Sequence, residues 1–455
     1  MTLEESMNNR LYFQPELETL PVEKLRELQL ERFVSVLQRA FRKSPYYRSL
    51  YKKAGIKPKD ITSLDDVREL PVIDREMLQS SYPMSHLCTE PQRLRELHSA
   101  NGVRRRAPIL VAATQQDIDY WADLNARDLW MVGLRPGNVL LNAFPLAMTT
   151  QGFAFHYGAL KLGMVSVPAG NLPMERLADL MIDVDATGLC GIPSQALKLS
   201  RYVERRKIDL KGRSSCRVAL LGEEPWSWAT RERIEETLGL KAYDHYGMSE
   251  LLGPGVGCEC EVRDRRFGMH TWADAFLCEC LDPRTGEAMD EEEEGELVWT
   301  SLVWEGTPLI RYRSRDLSAI TWRPCECGRT HPRLAPIKGA TDDAVTLEGI
   351  IVYPSQVEEC LLAFEEAGSK CRIVVDRDRR GGDYFSLRVE LKDKAYLNDE
   401  QLSQGLARKM KETIRQRTGL SPRDVELVQP GGLRKTEGTE EKTALVRVED
   451  RRPKD

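Results

Sequence analysis

The chain of 455 residues is 41% hydrophobic and 30% charged, with 66 Lys and Arg against 71 Asp and Glu and a net charge of −5. At ~100–200 residues per domain this length makes two to four domains with sizeable cores, and the composition excludes a disordered, collagen-like or coiled-coil chain. The absence of any run of ~18 apolar residues excludes a transmembrane helix, and a slightly acidic balance without a long basic block argues against nucleic acid or a membrane as partner.

The opening Met1-Thr2-Leu3-Glu4-Glu5 is acidic and lacks the basic and apolar regions of a secretory signal, so a cytoplasmic location is expected. Leu30, Phe33, Val34, Leu37 and Phe41 recur at helical spacing, and the helix ends at Ser44-Pro45 because a residue before proline avoids helical geometry. From about residue 108 short β-rich runs alternate with helical patterns. Val139–Leu141 is followed by a helix through His156 to Leu162 and by the strand Met164–Val167. Leu189–Ile192, a helix Ser194–Arg206 and Val218–Gly222 repeat the cycle. Such alternation predicts βαβ units and a mainly parallel sheet, with ligands at the strand C-terminal ends.

Beyond about Gly268 β-rich segments take over, separated by turns at Asp282–Gly286 and at the acidic, solvated run Asp290–Glu294. After Asp342-Asp343 a compact α+β pattern follows: helix Ser355–Glu366, strand Cys371–Val375, turn Arg379–Gly382, strand Tyr384–Leu391, helix Asp399–Arg417, strand Val425–Val428. The expected fold class is therefore α/β, with a large N-terminal domain (1–341) of mainly parallel sheet, a β-rich subdomain at about 258–335, and a small C-terminal α+β domain (342–455).

Three segments are hard to explain as packing. Tyr243-Asp244-His245-Tyr246-Gly247-Met248-Ser249-Glu250 puts a glycine, a hydroxyl and a carboxylate just past a β-like run, where Glu250 can reach a hard cation such as Mg²⁺. Asp316, in Arg311–Asp316, is an acceptor suited to two vicinal ribose hydroxyls, and Gly222-Glu223-Glu224-Pro225-Trp226 follows a strand as a base-stacking loop does. In this order, with Gly253-Pro254-Gly255-Val256, Gly339–Asp343, Lys43–Tyr47, Trp121-Ala122-Asp123, His156–Ala159, Pro193-Ser194 and Tyr353–Glu358, they resemble the phenylacetate-CoA ligase family of adenylate-forming enzymes over nearly the whole chain.

That resemblance implies a large domain, a small mobile one and an active site between them. It implies ATP-dependent activation of a small, aromatic carboxylic acid to an acyl-adenylate, then transfer to coenzyme A. Glu250 would hold Mg²⁺, Tyr246 with Gly247, Ser249 and Glu223, Glu224 and Pro225 would line the adenine side, Asp316 would bind ribose, and Asp342 falls at the hinge. Phe144, Leu146, Ala147, Met148 and Phe153, with His156-Tyr157 beside them, are candidates for an aryl pocket, with ordinary core packing as the alternative. A homodimer is one arrangement the resemblance allows.

The chain departs from the family pattern in four places. The phosphate loop, a Ser-Ser-Gly-Thr-Thr-Gly type run in the family, is here Ser99-Ala100-Asn101-Gly102-Val103-Arg104-Arg105-Arg106, in which Ser99 and Gly102 are kept and the arginines offer charge-assisted bonds to a polyphosphate or form a solvated turn. Ala340 stands where the family has arginine, and Leu347-Glu348-Gly349-Ile350-Ile351 keeps Gly349 but reverses a charge near the pantetheine route. The catalytic lysine should follow Ser-Glu-Gly directly. Here Thr439 follows Gly438, so Lys442 and Lys435 are both candidates. These departures allow two alternatives, a nucleotide- or acyl-binding partner protein that has lost ligation, or an adenylating enzyme that transfers to an amine or carrier protein.

The eleven cysteines are an odd count, and disulfides are not expected in a reducing compartment. Three Cys-x-Cys pairs, at 258/260, 278/280 and 325/327, lie in one segment. The tight turn Cys325-Glu326-Cys327-Gly328-Arg329 suits tetrahedral zinc, and the resemblance adds Cys260 and His270 as the other ligands of a closed structural site. Cys258, Cys278, Cys280 and His331 compete on spacing alone.

Overall fold

The computed structural model describes residues 11–100, 108–170, 172–341, 345–347, 350–352, 354–361, 363–377, 383–419, 421–433 and 448–451. They form two compact units, Met1–Glu224 with Glu232–Ile337, and Pro225–Arg231 with Lys338–Asp455. No helix among the described residues is long and apolar enough to cross a membrane.

In the first unit α1 (Val22–Lys43) buries Leu25, Gln29, Phe33, Val36, Leu37 and Ala40, one stripe at three- and four-residue spacing. Ser44 ends it and begins α2 (Pro45–Lys53), its hydroxyl accepting from Tyr47 N at 3.3 Å. The hairpin of β1 (Leu94–Ala100) and β2 (Ile109–Thr114) leads into α3 (Gln115–Met131). Thr114 and Asp117 cap α3 reciprocally, and the Asp117 carboxylate also takes the backbone N–H of Glu305 (2.6 Å) and Gly306 (3.0 Å), which ties the helix start to a distant loop.

The expected alternation follows as β3 (Val139–Asn142), α4 (Gln151–Lys161), β4 (Val165–Pro168), α5 (Met174–Asp183), β5 (Gly188–Gly191), α6 (Pro193–Arg206), β6 (Val218–Gly222), α7 (Trp228–Leu238) and β7 (Lys241–Tyr246). Strands β4, β3, β5, β6 and β7 lie side by side in that order, all parallel. Leu140, Leu141, Leu220 and Leu221 are fully buried, as a sheet covered on both faces requires. The sheet continues antiparallel through β8 (Gly257–Glu259), β9 (Met269–Thr271) and, at its edge, β14 (Arg333–Leu334) and β13 (Ile320–Thr321). Three further strands run antiparallel in a second sheet, β10 (Phe276–Leu281), β11 (Gly295–Ser301) and β12 (Tyr312–Ser318).

The second unit contains the short strands β15 (Gly339–Ala340), β16 (Val345–Leu347) and β17 (Ile350–Val352), then α8 (Pro354–Leu361), β18 (Ala367–Arg377), β19 (Asp383–Leu391), α9 (Glu400–Thr418), β20 (Val425–Val428) and β21 (Val448–Asp450). Its sheet order is β20-β19-β18-β21, and Val357, Ile373, Phe385, Leu387, Met410 and Ile414 form its core. The strand expected at 371–375 is longer, because β19 pairs along it to Arg377, and the expected turn at 379–382 lies outside the described residues. The helix expected to reach Glu366 ends at Leu361, and Ala367 already pairs with Leu391.

Candidate functional site

Two parallel strands, β6 and β7, bring the site's first residues together at their C-terminal ends. The strand β6 delivers Gly222 and then Glu223, whose backbone takes a positive φ of 70°. The next strand, β7, ends at Tyr246, and the chain then turns through Gly247 into the short 3-10 helix Ser249–Leu251. Glycine is needed at 247, because a Cβ there would lie 2.8 Å from Pro254 Cα. The loop is pinned by indole donors, Trp304 Nε1 to Leu251 O at 3.0 Å and Trp121 Nε1 to Pro254 O at 3.1 Å.

Tyr246 and Asp316 meet across this edge. The phenol donates to Asp316 Oδ2 at 2.5 Å, and the Tyr246 ring stacks on Trp299 of β11 with centroids 5.6 Å apart. Burial first, then the Asp316 carboxylate, pushes the phenol well above its ordinary pKa, so it stays a donor.

Glu250 is nearly buried and pairs with Arg75 Nη1 at 3.1 Å, while the Tyr312 hydroxyl approaches the same oxygen at 3.4 Å. Among the described residues these contacts reach Glu250 only at Oε1. The placement of Arg75 follows from Arg311: Ile73 N donates to Arg311 O at 2.8 Å, and the Arg311 guanidinium forks onto Glu279 at 3.0 and 2.9 Å. Gln151, at the start of α4, donates to Glu223 Oε2 at 2.7 Å, and Thr150 reaches Ser249 Oγ at 3.3 Å. Glu223 is itself exposed, and Glu250 and Asp316 add negative charge nearby that works against its ionisation.

Glu223, Tyr246, Gly247, Ser249, Glu250 and Asp316 are therefore linked by shared neighbours in one region. Glu224 turns away, its carboxylate accepting from Ser194 N at the start of α6, where a negative charge suits the helix end. Ser99 lies buried at the end of β1, its N–H donating to Met148 O at 2.8 Å. Pro225 belongs to the second unit. Gly102, Arg104, Arg105, Arg106, Asp342, Gly349, Lys435 and Lys442 lie outside the described residues. Of the aryl candidates, Phe144 is buried and stacks on Phe155 at 5.8 Å, whereas Leu146 and Met148 are exposed and Phe153 packs against His98 and Tyr157. His156 bonds Ser166. Arg75, Gln151 and Trp299 carry no motif signal, and only the pairing of distant segments reveals them.

A second cluster gathers Cys260, His270, Cys325 and Cys327, whose four ligand atoms lie within 4.8 Å of one another. Cys260 Sγ and Cys325 Sγ are 3.8 Å apart, and Cys327 Sγ is 3.3 Å from His270 Nε2. Tetrahedral zinc with ~2.3 Å Zn–S bonds separates two sulfurs by roughly 3.8 Å. His270 Nδ1 faces His331 O at 3.3 Å, which orients Nε2 toward the sulfurs. The competing residues are held elsewhere: Cys278 near Glu279 O, Cys280 near Glu293 O and Ser318 O, Cys258 near Glu259 O. His331 accepts from Ala273 N at 3.0 Å and donates to Leu17 O at 2.9 Å.

Comparison with known proteins bears on the whole chain. The family described as AMP-binding enzyme matches residues 111–301, and the AMP-binding enzyme C-terminal domain matches 349–452. The phenylacetate-coenzyme A ligase of Thermus thermophilus is 37% identical over 446 residues, covering 94% of this chain and 98% of that protein. The phenylacetate-coenzyme A ligase of Escherichia coli K12 is 34% identical over 93% of this chain and 95% of its own length. Among solved structures, 2-hydroxyisobutyryl-CoA ligase in the postadenylation state aligns with a TM-score of 0.84 at 26% identity, over 96% of this chain and 91% of that one. The same ligase in an open conformation with 2-HIB-AMP and CoA aligns at 0.71.

Proposed function

The chain belongs to the phenylacetate-CoA ligase family of AMP-binding enzymes, and from that premise we propose how its own residues divide the work. The activity is an AMP-forming acid-thiol ligation. A carboxylate oxygen attacks the α-phosphorus of ATP and the bond to pyrophosphate breaks; the thiol of coenzyme A then attacks the acyl carbon, and AMP leaves.

In this reading Asp316 accepts from the ribose hydroxyls while Tyr246, held by Asp316 and backed by Trp299, forms a wall of the nucleotide site. Glu223, Gly247 and Ser249 line the same edge, with Glu224 and Pro225 contributing backbone. Glu250 would hold Mg²⁺, which when bound would supply charge neutralisation on the phosphate oxygens. The donor set supports this: a hard carboxylate with one oxygen fixed by Arg75 and the other without a hydrogen bond among the described residues. Ser99, Gly102 and Arg104–Arg106 hold phosphate, Asp342 serves the hinge, Gly349 the pantetheine route, and Lys435 or Lys442 the developing charge at the α-phosphate. The acid is an aryl acid of phenylacetate size. Cys260, His270, Cys325 and Cys327 would hold zinc in a closed structural site, which the sulfur spacing supports. We place the protein in the cytoplasm; a homodimer is one arrangement the resemblance allows.

The observation that carries this reading is the direct Tyr246–Asp316 bond beside Glu250, at the strand ends where α/β ligands bind. Acid-dependent ATP–pyrophosphate exchange across a panel of aryl and aliphatic acids, followed by thioester formation with coenzyme A, is the test. Exchange with at least one aryl acid and thiol-dependent AMP release are expected. ATP binding without exchange for any acid overturns it, and exchange without thiol dependence redirects the transfer step to another acceptor.

A further inference from the structure

Residue 245, one position before Tyr246, is a histidine on the opposite face of β7, and it is only 2% exposed. Its ring stands edge-on to Phe155 (centroids 5.0 Å) and Phe144 (6.0 Å). It lies so close over Gly222, its neighbour in the β6–β7 register, that a Cβ there would meet Nδ1 at 2.8 Å. Neither ring nitrogen has a hydrogen-bond partner among the described residues. More than nine in ten buried polar groups are hydrogen-bonded, and leaving one bare is a stability cost that any apolar side chain of this size avoids. Desolvation holds the imidazole neutral, its pKa lowered to about 3, so it keeps one N–H donor and one lone pair. No described residue supplies the partner, and the ring's position at the C-terminal end of a parallel strand, beside the proposed nucleotide site and the Phe144–Phe155 stack, points to the acid substrate.

We propose that His245 is a specificity residue for the acid, hydrogen-bonding a hydroxyl or amino substituent on its aryl ring, so that the preferred substrate is a hydroxylated or aminated aryl acid and not the unsubstituted one. The inference rests on the acid-activating role of the strand-end site. A buried polar group that demands a partner discriminates strongly against an analogue lacking it, whereas an apolar pocket barely senses an added hydroxyl.

The test is pyrophosphate exchange with phenylacetate and its 2-, 3- and 4-hydroxy and amino derivatives, on the unaltered full-length chain and on His245→Leu and His245→Gln, with Tm measured for each. The expected result is a kcat/KM for one substituted acid about tenfold or more above phenylacetate. In His245→Leu that ratio falls to about one or below while Tm holds or rises, and His245→Gln restores part of the ratio. Phenylacetate as the best acid for the unaltered chain overturns the proposal, as does a ratio unchanged in His245→Leu, the result expected if water satisfies the ring. No exchange with any acid is a different failure, that of the acid-activating site itself.

Discussion

Tyr246 and Asp316, 70 positions apart, are joined by a 2.5 Å hydrogen bond between the end of β7 and the middle of β12. The phenol therefore fixes the carboxylate's orientation, and the carboxylate fixes the ring against Trp299. Tyr246→Phe keeps the stack and removes only the bond, so the KM for ATP should rise about tenfold with kcat within a few-fold, whereas Asp316→Ala should raise KM about 100-fold. Initial-rate kinetics with varied ATP check this; equal effects of the two substitutions would contradict the division of roles.

Glu250 shares a buried region with Arg75, and Glu250→Gln keeps the shape while removing the negative charge. The exchange rate should fall by at least about 100-fold, and raising Mg²⁺ should not restore it. Recovery at high Mg²⁺ would instead mean that the carboxylate only tunes affinity.

Much of the scaffold was legible because its physics is local. A strand buried on both faces reads as an apolar run, as at Leu140-Leu141 and Leu220-Leu221, and the alternation with helices dictates parallel pairing. Glu250 stands out as a carboxylate just past a β-like run and Asp316 as an acceptor in Arg311–Asp316, but Arg75 does not. It reaches Glu250 only because Ile73 pairs with Arg311, and no periodicity encodes a contact across 175 residues. His245 read as one more residue of a motif, since a missing hydrogen-bond partner is a property of packing. Spacing alone does not separate the four-ligand cluster from its competitors; the family resemblance picks out Cys260 and His270, and in three dimensions β10 carries Cys278 and Cys280 elsewhere.

The cysteine cluster also anchors the start of the described chain. The Tyr12 hydroxyl donates to Cys327 O at 2.9 Å, Arg329 pairs with the buried Glu18 at 2.8 Å, and Thr330 Oγ1 donates to Leu20 O at 2.6 Å. Purified protein should carry about one zinc per chain. Cys327→Ser should lose it and lower Tm by roughly 5 °C or more, with faster proteolysis near residues 11–20. Metal analysis and timed digestion decide this, and an unaltered protein with less than about half an equivalent of zinc counts against the site.

Asp128 sits fully buried on α3, its Oδ1 accepting from Trp272 Nε1 at 2.8 Å while Oδ2 has no hydrogen-bond partner among the described residues. Burial, opposed by the indole bond and Arg127, pushes its carboxyl up to about 7. The folded pKa thus exceeds the ordinary 3.8, so between these values the folded chain holds a proton the unfolded chain has released. Stability from this group is fully present below the lower value and is lost as pH rises through the upper one, a swing of ~4 kcal/mol at most. Asp128→Asn keeps the acceptor for Trp272 and cannot titrate. The Tm of Asp128→Asn minus that of the unaltered chain should therefore climb from pH 4 to about pH 7 and then level off. Thermal unfolding in a buffer series measures it, and a flat difference would show that Asp128 is ionised throughout and that Arg127 offsets its burial.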